Sequence, residues 1–360
     1  MKFNYNGSFK KAITKQVIQA QKALFSMLVK AKRLQLSIDT QCELFDRMVL
    51  PILLYGSEVW GYENISQIEV FHRKFLRTIL HVNKCTPDCM VYGETGRCVI
   101  LNHVKCRMVG FWLRIIKGEQ TKHSFLLYRL SKCLSQNEDL NSASNWLRYV
   151  EDILNNAGFA NVWLSQSHGF KSEWVLKALK LRLADIFKQD WKATIWSNRL
   201  CSNYRMFKGL LELEKYLLFL NSKDATTLCK FRCRSHSLPV NNNRFDSDMS
   251  QDDICTLCLS DTGDEFHYIF VCPFFLEERK LYLQKSVLRS RRPSSIEMEK
   301  LFKMQDSCQL RKLVKFINII MNHFSHEPKR SDFVDVTVQR HEHVVTRSGR
   351  IVRNPVRLVL

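Results

Sequence analysis

The feature that most constrains the fold is a short segment of cysteine and histidine residues. Cys255 and Cys258 are separated by two residues, His267 follows after eight more, and Cys272 after another four. Thiolate and imidazole are donors that zinc prefers, and a Cys-x2-Cys pair at a tight turn brings two sulfurs within reach of one ion. Gly263 permits a turn in the intervening loop. The spacing therefore predicts a zinc ion bound by Cys255, Cys258, His267 and Cys272.

Four protein ligands leave no open position for water or substrate, so the predicted zinc is structural rather than catalytic. Its binding energy, about 10–16 kcal/mol for peptide-scale sites, would stabilise the surrounding segment. The alternative is chance spacing in a chain with 13 cysteines. A second group, Cys229, Cys233 and His236, lacks a clear fourth ligand, and buried thiols are the preferred interpretation there.

The cysteines are not preceded by a secretory signal, because the residues after Met1 are polar. Thiols in this context indicate a reducing compartment, so we expect an intracellular protein of the nucleus or cytoplasm that is not secreted. The longest apolar run, residues 48–55, is far shorter than the roughly 20 residues that cross a membrane. It predicts buried core, and no membrane partner is expected.

The charge of the sequence indicates a polyanionic partner. Lys and Arg number 55 against 35 Asp and Glu, which gives a formal charge of +20. Cations close to phosphates displace counterions and add affinity that is independent of base sequence. We expect RNA or single-stranded DNA as the partner and no small-molecule substrate, and the oligomeric state is left open. The alternative is a basic protein without such a partner.

Apolar residues recur at three- and four-residue steps through most of the chain, which predicts a mainly α-helical fold. Thr40 and Glu43 have the spacing of a capping box at the start of one helix, and Pro51 should bend or interrupt that helix. Trp174 belongs to an apolar stripe that indicates core rather than a base-stacking surface. The other helices are predicted at 9–31, 65–82, 99–116 and 173–196, with shorter ones between 274 and 324.

Several motifs follow one another in a characteristic order: LPILLYGSEVWG at 50–61, FHRKFLR at 71–77, VYGETGR at 91–97, KFRCRSHSLP at 230–239 and GDEFH at 263–267. In this order they resemble the part of LINE-type (non-LTR) retrotransposon reverse transcriptases that follows the polymerase palm. The last two motifs are similar to the approach to that family's C-terminal zinc knuckle and to the knuckle itself.

The resemblance implies five parts along the chain. They are a thumb-like helical region at 1–120, a helical linker at 121–250, a CCHC zinc-binding domain at 251–290, C-terminal helices at 291–323 and a basic disordered tail at 324–360. The family's fingers and palm, with the Tyr/Phe-x-Asp-Asp turn that holds catalytic metals, have no counterpart in the sequence. We therefore expect a truncated relative that grips template and primer but is not an enzyme on its own.

Basic residues in these motifs and in the tail are the candidate phosphate contacts. They are Arg73, Lys74, Arg77, Lys230, Arg232, Arg244, Arg347 and Arg350. The aromatic residues Tyr268, Phe270, Phe274 and Phe275 beside the zinc ligands either stack on bases or pack around the zinc loop, and packing is preferred. Three alternatives stay open: a protein-interaction module, a polymerase part that is active with a palm from another chain, and a degenerate gene product without function.

Overall fold

The structure, a computed structural model, describes residues 8–63, 65–135, 145–236, 238, 254–284, 294–325, 344–345 and 351–352. It is mainly α-helical, as the sequence predicts. The helices are α1 (Lys10–Arg33), α2 (Ile38–Leu44), α3 (Leu50–Leu53), α4 (Ser57–Trp60), α5 (Ser66–Leu80), α6 (Asp88–Thr95), α7 (Leu101–Ile116), α8 (His123–Ser135), α9 (Asn145–Asn156), α10 (Ala160–Leu164), α11 (Ser172–Ser197), α12 (Tyr204–Phe207), α13 (Tyr216–Phe219), α14 (Ser222–Arg232), α15 (Leu276–Tyr282), α16 (Ser295–Phe302) and α17 (Ser307–Ser325). None of the helices in these ranges is long and apolar enough to cross a membrane.

Helix α1 is held in place by one apolar face. Ile13, Leu24 and Met27 are buried, and the helix packs against α3 and the π-helical turn Phe45–Val49. No acidic residue occurs in α1, so it has no internal ion pair of the kind that stabilises isolated helices. Its stability therefore comes from tertiary packing. Its cations are Lys10, Lys11, Lys15, Lys22, Lys30, Lys32 and Arg33.

Helix α2 begins before the predicted capping box. Ser37 is the N-cap, and its hydroxyl accepts a hydrogen bond from the Thr40 amide at 3.2 Å, so the prediction of a cap at Thr40 is wrong. The predicted interruption at Pro51 is confirmed. The helix widens into the π-helical turn Phe45–Val49, and Pro51 then occupies the first turn of α3. In a first turn a missing backbone N–H removes no hydrogen bond.

The long helices α7 and α11 form the centre of the N-terminal half, with α4 packed on α7. Val104 and Trp112 of α7 are fully buried, and Leu179 of α11 faces the same core. The inward stripe predicted for α11 is wrong at Trp174, which is 54% exposed and stacks on Phe170 with ring centroids 5.9 Å apart. Aromatic stacking at the surface replaces burial there.

The C-terminal helices pack back onto the rest of the chain. Helix α14 packs on α17, α12 on α16, and α15 on α17. Ser294 and Glu297 form a capping box that starts α16. In the described residues the apolar core continues from Phe9 to Phe324 as one cluster, so the first four implied parts share a core. Of the predicted tail, the described residues include only the end of α17 and the paired strands β1 (Val344–Val345) and β2 (Ile351–Val352).

Candidate metal centre and basic surface

The first two predicted ligands, Cys255 and Cys258, lie in the tight loop that the bridge between Ile254 and Thr262 closes. The Cys255 amide donates to the Asp261 carbonyl at 2.8 Å, and the Leu259 amide donates to the Cys255 carbonyl at 2.9 Å. Leu259 adopts the left-handed conformation with φ 55°, which reverses the chain directly after Cys258. Local hydrogen bonds therefore fix the two thiols on the same side of the turn.

Gly263 and the turn after it bring the second pair of ligands to the first. A Cβ on Gly263 would lie 2.6 Å from the Tyr268 hydroxyl and 3.0 Å from the Cys255 Cα, so the close approach requires glycine. His267–Val271 is a π-helical turn in which the Cys272 amide donates to the His267 carbonyl at 2.7 Å. A bond between residues five apart places them one turn apart on the same side of the helix, so a His-x4-Cys spacing brings the two ligands close together.

The four predicted ligand residues, Cys255, Cys258, His267 and Cys272, lie together. Their ligand atoms are all within 4.8 Å of one another. Cys255 Sγ is 3.9 Å from Cys272 Sγ, and Cys258 Sγ is 3.3 Å from His267 Nε2. Zinc with bonds of about 2.3 Å to sulfur and about 2.0 Å to nitrogen gives tetrahedron edges of roughly 3.8 and 3.6 Å. The donor set and its spacing thus fit a tetrahedral zinc ion.

The electrostatics of the cluster favour a cation at its centre. Burial, and then the neighbouring Cys255, raise the pKa of Cys272 to about 12, whereas the pKa of Cys258 is lowered because hydrogen bonds with Ser260 and the other thiols outweigh its burial. Burial lowers the pKa of His267, which keeps its imidazole neutral and able to bind metal. Neighbouring thiolates repel one another, and a bound cation removes that repulsion.

Glu265 joins the cluster to the helical body. It is 2% exposed, and its oxygens accept hydrogen bonds from His236 Nε2 at 2.8 Å and Asn203 Nδ2 at 2.7 Å. Arg234 Nε lies 3.1 Å from the same carboxylate, and these cationic and polar partners lower the pKa of Glu265 to about 2 against the effect of burial. The GDEFH motif therefore holds the cluster in place through Glu265.

The predicted nucleic-acid contact at Arg232 is wrong. Its side chain is 1% exposed and donates to both oxygens of Glu94 at 3.0–3.2 Å, and Nη2 lies 2.9 Å from Glu214. The guanidinium also lies over the Phe207 ring at 4.5 Å. A planar cation with two carboxylates and an aromatic face has its donors occupied inside the protein. Sequence reasoning missed the role of Glu94, although an acidic residue so close to the apolar residues 89–92 was a signal for it.

Two of the sequence motifs, residues 91–97 and 230–239, meet at this buried ion pair. Glu94 from 91–97 accepts a hydrogen bond from the Tyr216 hydroxyl at 2.5 Å, and its carbonyl accepts from the Glu214 amide at 3.0 Å. Gly96 adopts φ 65°, and a Cβ there would lie 2.4 Å from the Leu213 amide nitrogen. Motifs far apart in sequence thus meet in one packed junction.

The other predicted nucleic-acid contacts differ in their exposure and in their ion pairs. Arg73 and Arg77 both pair with Asp88, and Arg77 also donates to the Thr86 carbonyl at 2.8 Å. Lys74 is exposed and Lys230 is half-buried. Arg244, Arg347 and Arg350 lie outside the described residues.

A basic surface that the sequence did not reveal surrounds Lys230. Burial lowers the pKa of His81, and the nearby Lys230 and Lys32 lower it further. Helices α1 and α14 both contact α5, and the Asn83 amide donates to Ser235 Oγ at 2.7 Å, which fixes the end of α5 beside α14. We call Lys32, His81 and Lys230 the basic surface. Lys32 lies in α1, Lys230 in α14, and His81 directly follows α5, so no local spacing indicated the surface.

The remaining sequence candidates pack inside the protein. Cys229 and Cys233 are fully buried and His236 bonds Glu265, so the interpretation as core thiols is supported. Among the residues that the structure describes, the four-residue cluster is the single group suited to a metal. Of the aromatic residues beside it, Tyr268, Phe270 and Phe275 are buried, whereas Phe274 is 53% exposed. The preferred interpretation, packing around the loop, holds for the buried three.

No protein-family model, curated protein or solved structure matches this sequence. The resemblance to LINE-type reverse transcriptases therefore rests on the motifs alone.

Proposed function

We propose that this protein is a zinc-stabilised, mainly α-helical nucleic-acid-binding protein that carries no polymerase activity of its own. The zinc part of the proposal is supported by four ligand atoms within 4.8 Å of one another, and by a sulfur–sulfur distance of 3.9 Å and a sulfur–nitrogen distance of 3.3 Å that are close to the edges of a zinc tetrahedron. With all four positions occupied by protein, the ion would stabilise the fold and would not act on substrate. None of the thirteen cysteines, all of which lie in the described part of the chain, is paired in a disulfide, which fits a reducing compartment such as the nucleus or cytoplasm.

The nucleic-acid part of the proposal is supported above all by the basic surface. Lys32 of α1, Lys230 of α14 and His81 at the end of α5 lie close enough for the lysines to lower the pKa of the histidine. Their closeness concentrates positive charge at one place on the surface, and a phosphate backbone is the anion that complements it. A formal charge of +20 for the chain adds long-range attraction. The preferred ligand is RNA or single-stranded DNA, held through its backbone.

The test is fluorescence anisotropy with a labelled single-stranded RNA over a range of salt concentrations. We expect Lys32→Glu/Lys230→Glu to weaken binding and to make the plot of log K against log salt shallower by about 1.4, because each phosphate contact on a single strand contributes about 0.7. Lys192→Glu, an exposed lysine on α11, is the matched control and should leave the slope nearly unchanged. Equal slopes for all three proteins would refute the role of the basic surface.

Zinc is tested separately by mass spectrometry of the native protein. One tightly held zinc per chain is expected, and RNA binding measured on the same sample shows whether the metal supports it. A protein that folds without zinc would contradict the metal proposal. The role of the basic surface would still be decided separately, by the salt dependence of RNA binding.

A further inference from the structure

An open groove with a volume of about 1220 Å³ lies between α7, α11 and the α3–α4 turn. We call it the α7–α11 groove. Its floor is aliphatic and is built from Leu50, Pro51, Leu54, Leu113 and Leu176. Helix α7 has 16 residues, so one wall is roughly 24 Å long at about 1.5 Å per residue. The dimensions and the apolar floor suit an extended, partly apolar ligand.

The rim of the groove carries uncompensated positive charge. Its two acidic residues are already paired, Asp46 with Arg97 and Glu58 with Arg107. Arg114, Lys117 and Lys180 also line the groove and have no acidic partner among the described residues. The ligand that complements this rim is therefore anionic.

The residues on the floor of the groove favour one class of anionic ligand, an acidic helix, over single-stranded nucleic acid. Grooves that hold single-stranded nucleic acid combine cations with aromatic rings on which bases stack. No Phe, Tyr or Trp lines this groove in the described part of the chain. Leucine and proline instead suit aliphatic anchors at the i, i+3, i+4 and i+7 positions of a helix laid between two helices. The chain's own residues 324–360 are net basic and do not complement the rim.

We propose that the α7–α11 groove binds an acidic amphipathic helix of a partner protein. Aliphatic residues on one face of that helix contact Leu113 and Leu176, and its carboxylates pair with Arg114 and Lys180. The site is separate from the proposed nucleic-acid contact, because none of the residues of the basic surface lines the groove. The protein would then bind nucleic acid at the basic surface and a second protein in the α7–α11 groove.

The experiment uses a fluorescein-labelled, helix-stabilised peptide with leucines on one face and glutamates on its flanks. We expect Arg114→Glu/Lys180→Glu to weaken its binding to the full chain about tenfold, since two attractive pairs become repulsive. Lys177→Glu, on α11 but outside the groove, is the matched control. Far-ultraviolet circular dichroism establishes that each variant is folded.

A second measurement locates the peptide. Cys106 lines the groove and is partly exposed, whereas Cys133 is exposed on α8 outside it. Bound peptide should slow the alkylation of Cys106 by N-ethylmaleimide and leave that of Cys133 unchanged, as followed by mass mapping. Unprotected Cys106, binding insensitive to the charge reversal, or protection by single-stranded RNA in place of the peptide would each overturn the proposal. None of these outcomes bears on the salt slope of the basic surface.

Discussion

Replacing Arg232 with methionine should destabilise this protein strongly. The arginine is 1% exposed, donates to Glu94 at 3.0–3.2 Å, lies 2.9 Å from Glu214 and donates to the Phe302 carbonyl at 3.1 Å. Methionine has a similar length and is apolar, so it fills the space without supplying a charge or a donor. The substitution therefore removes the interactions and leaves the packing largely intact.

The size of the stability loss follows from the buried carboxylates that Arg232→Met leaves without their partner. Glu94 is fully buried, and breaking a buried ion pair on one side costs about 3–5 kcal/mol because the remaining charge is desolvated and unpaired. The Tyr216 hydroxyl still donates to Glu94 at 2.5 Å, and Lys208 is paired with Glu214, so part of the charge remains compensated. We expect a loss of about 3 kcal/mol in the free energy of unfolding. A typical domain has only about 5–15 kcal/mol in total.

The assay is urea denaturation followed by circular dichroism at 222 nm. Lys74→Met is the matched control, because Lys74 is exposed and its replacement should change stability by less than about 0.5 kcal/mol. Glu94→Gln/Arg232→Met completes a double-mutant cycle, in which the double variant should lose less than the two single variants together. Additive losses would refute the coupling of the two residues.

The result that would refute the whole argument is a stable Arg232→Met protein with weakened RNA binding. A loss below about 1 kcal/mol would place the guanidinium in contact with solvent rather than inside the core. Arg232 would then be available to contact phosphate, as its motif predicts.

Three further predictions concern the metal, a turn and pH. Cys258→Ser should abolish zinc binding and lower the melting temperature, as measured by metal analysis and calorimetry, whereas Cys308→Ser, at an exposed thiol, should do neither. Gly96→Ala should destabilise the chain by more than about 1 kcal/mol in the same urea assay, since φ 65° disfavours a side chain and the new Cβ would meet the Leu213 backbone. The pKa of Glu94 is lowered in the folded protein because the charges of Arg232 and Lys208 outweigh the effect of burial. The ionised Glu94 therefore stabilises the fold fully above pH 4.5, its ordinary pKa, and this contribution is lost as the pH falls through the lower pKa of the folded state. Stability measured from pH 6 down to pH 3 should therefore decline less in Glu94→Gln than in the original protein; parallel curves would contradict this.

Sequence periodicity predicted the helices well where a helix has one strongly apolar face. The predicted helix at 65–82 is α5 (Ser66–Leu80), and that at 99–116 contains α7 (Leu101–Ile116). Such helices are specified by residues close in sequence, and packing only selects the face. The predicted cap at Thr40 failed because Ser37 is also a good cap and starts the helix earlier.

The spacing of Cys255, Cys258, His267 and Cys272 by itself determined which side chains meet. A reverse turn and a π-helical turn are local structures, and they converge on one point because the ligands lie within one short segment. The same holds for the positive charge of the chain, which composition alone fixes.

Tertiary structure decided which cations are available to a partner. Arg232 and Lys230 lie in the same basic motif. Arg232 is nevertheless buried and paired with Glu94, whereas Lys230 lies near His81 at the basic surface. The acid that neutralises Arg232 lies 138 residues earlier in the chain, and the walls of the α7–α11 groove come from helices separated by more than fifty residues. Burial and charge compensation depend on such distant neighbours, so only the folded chain determines them.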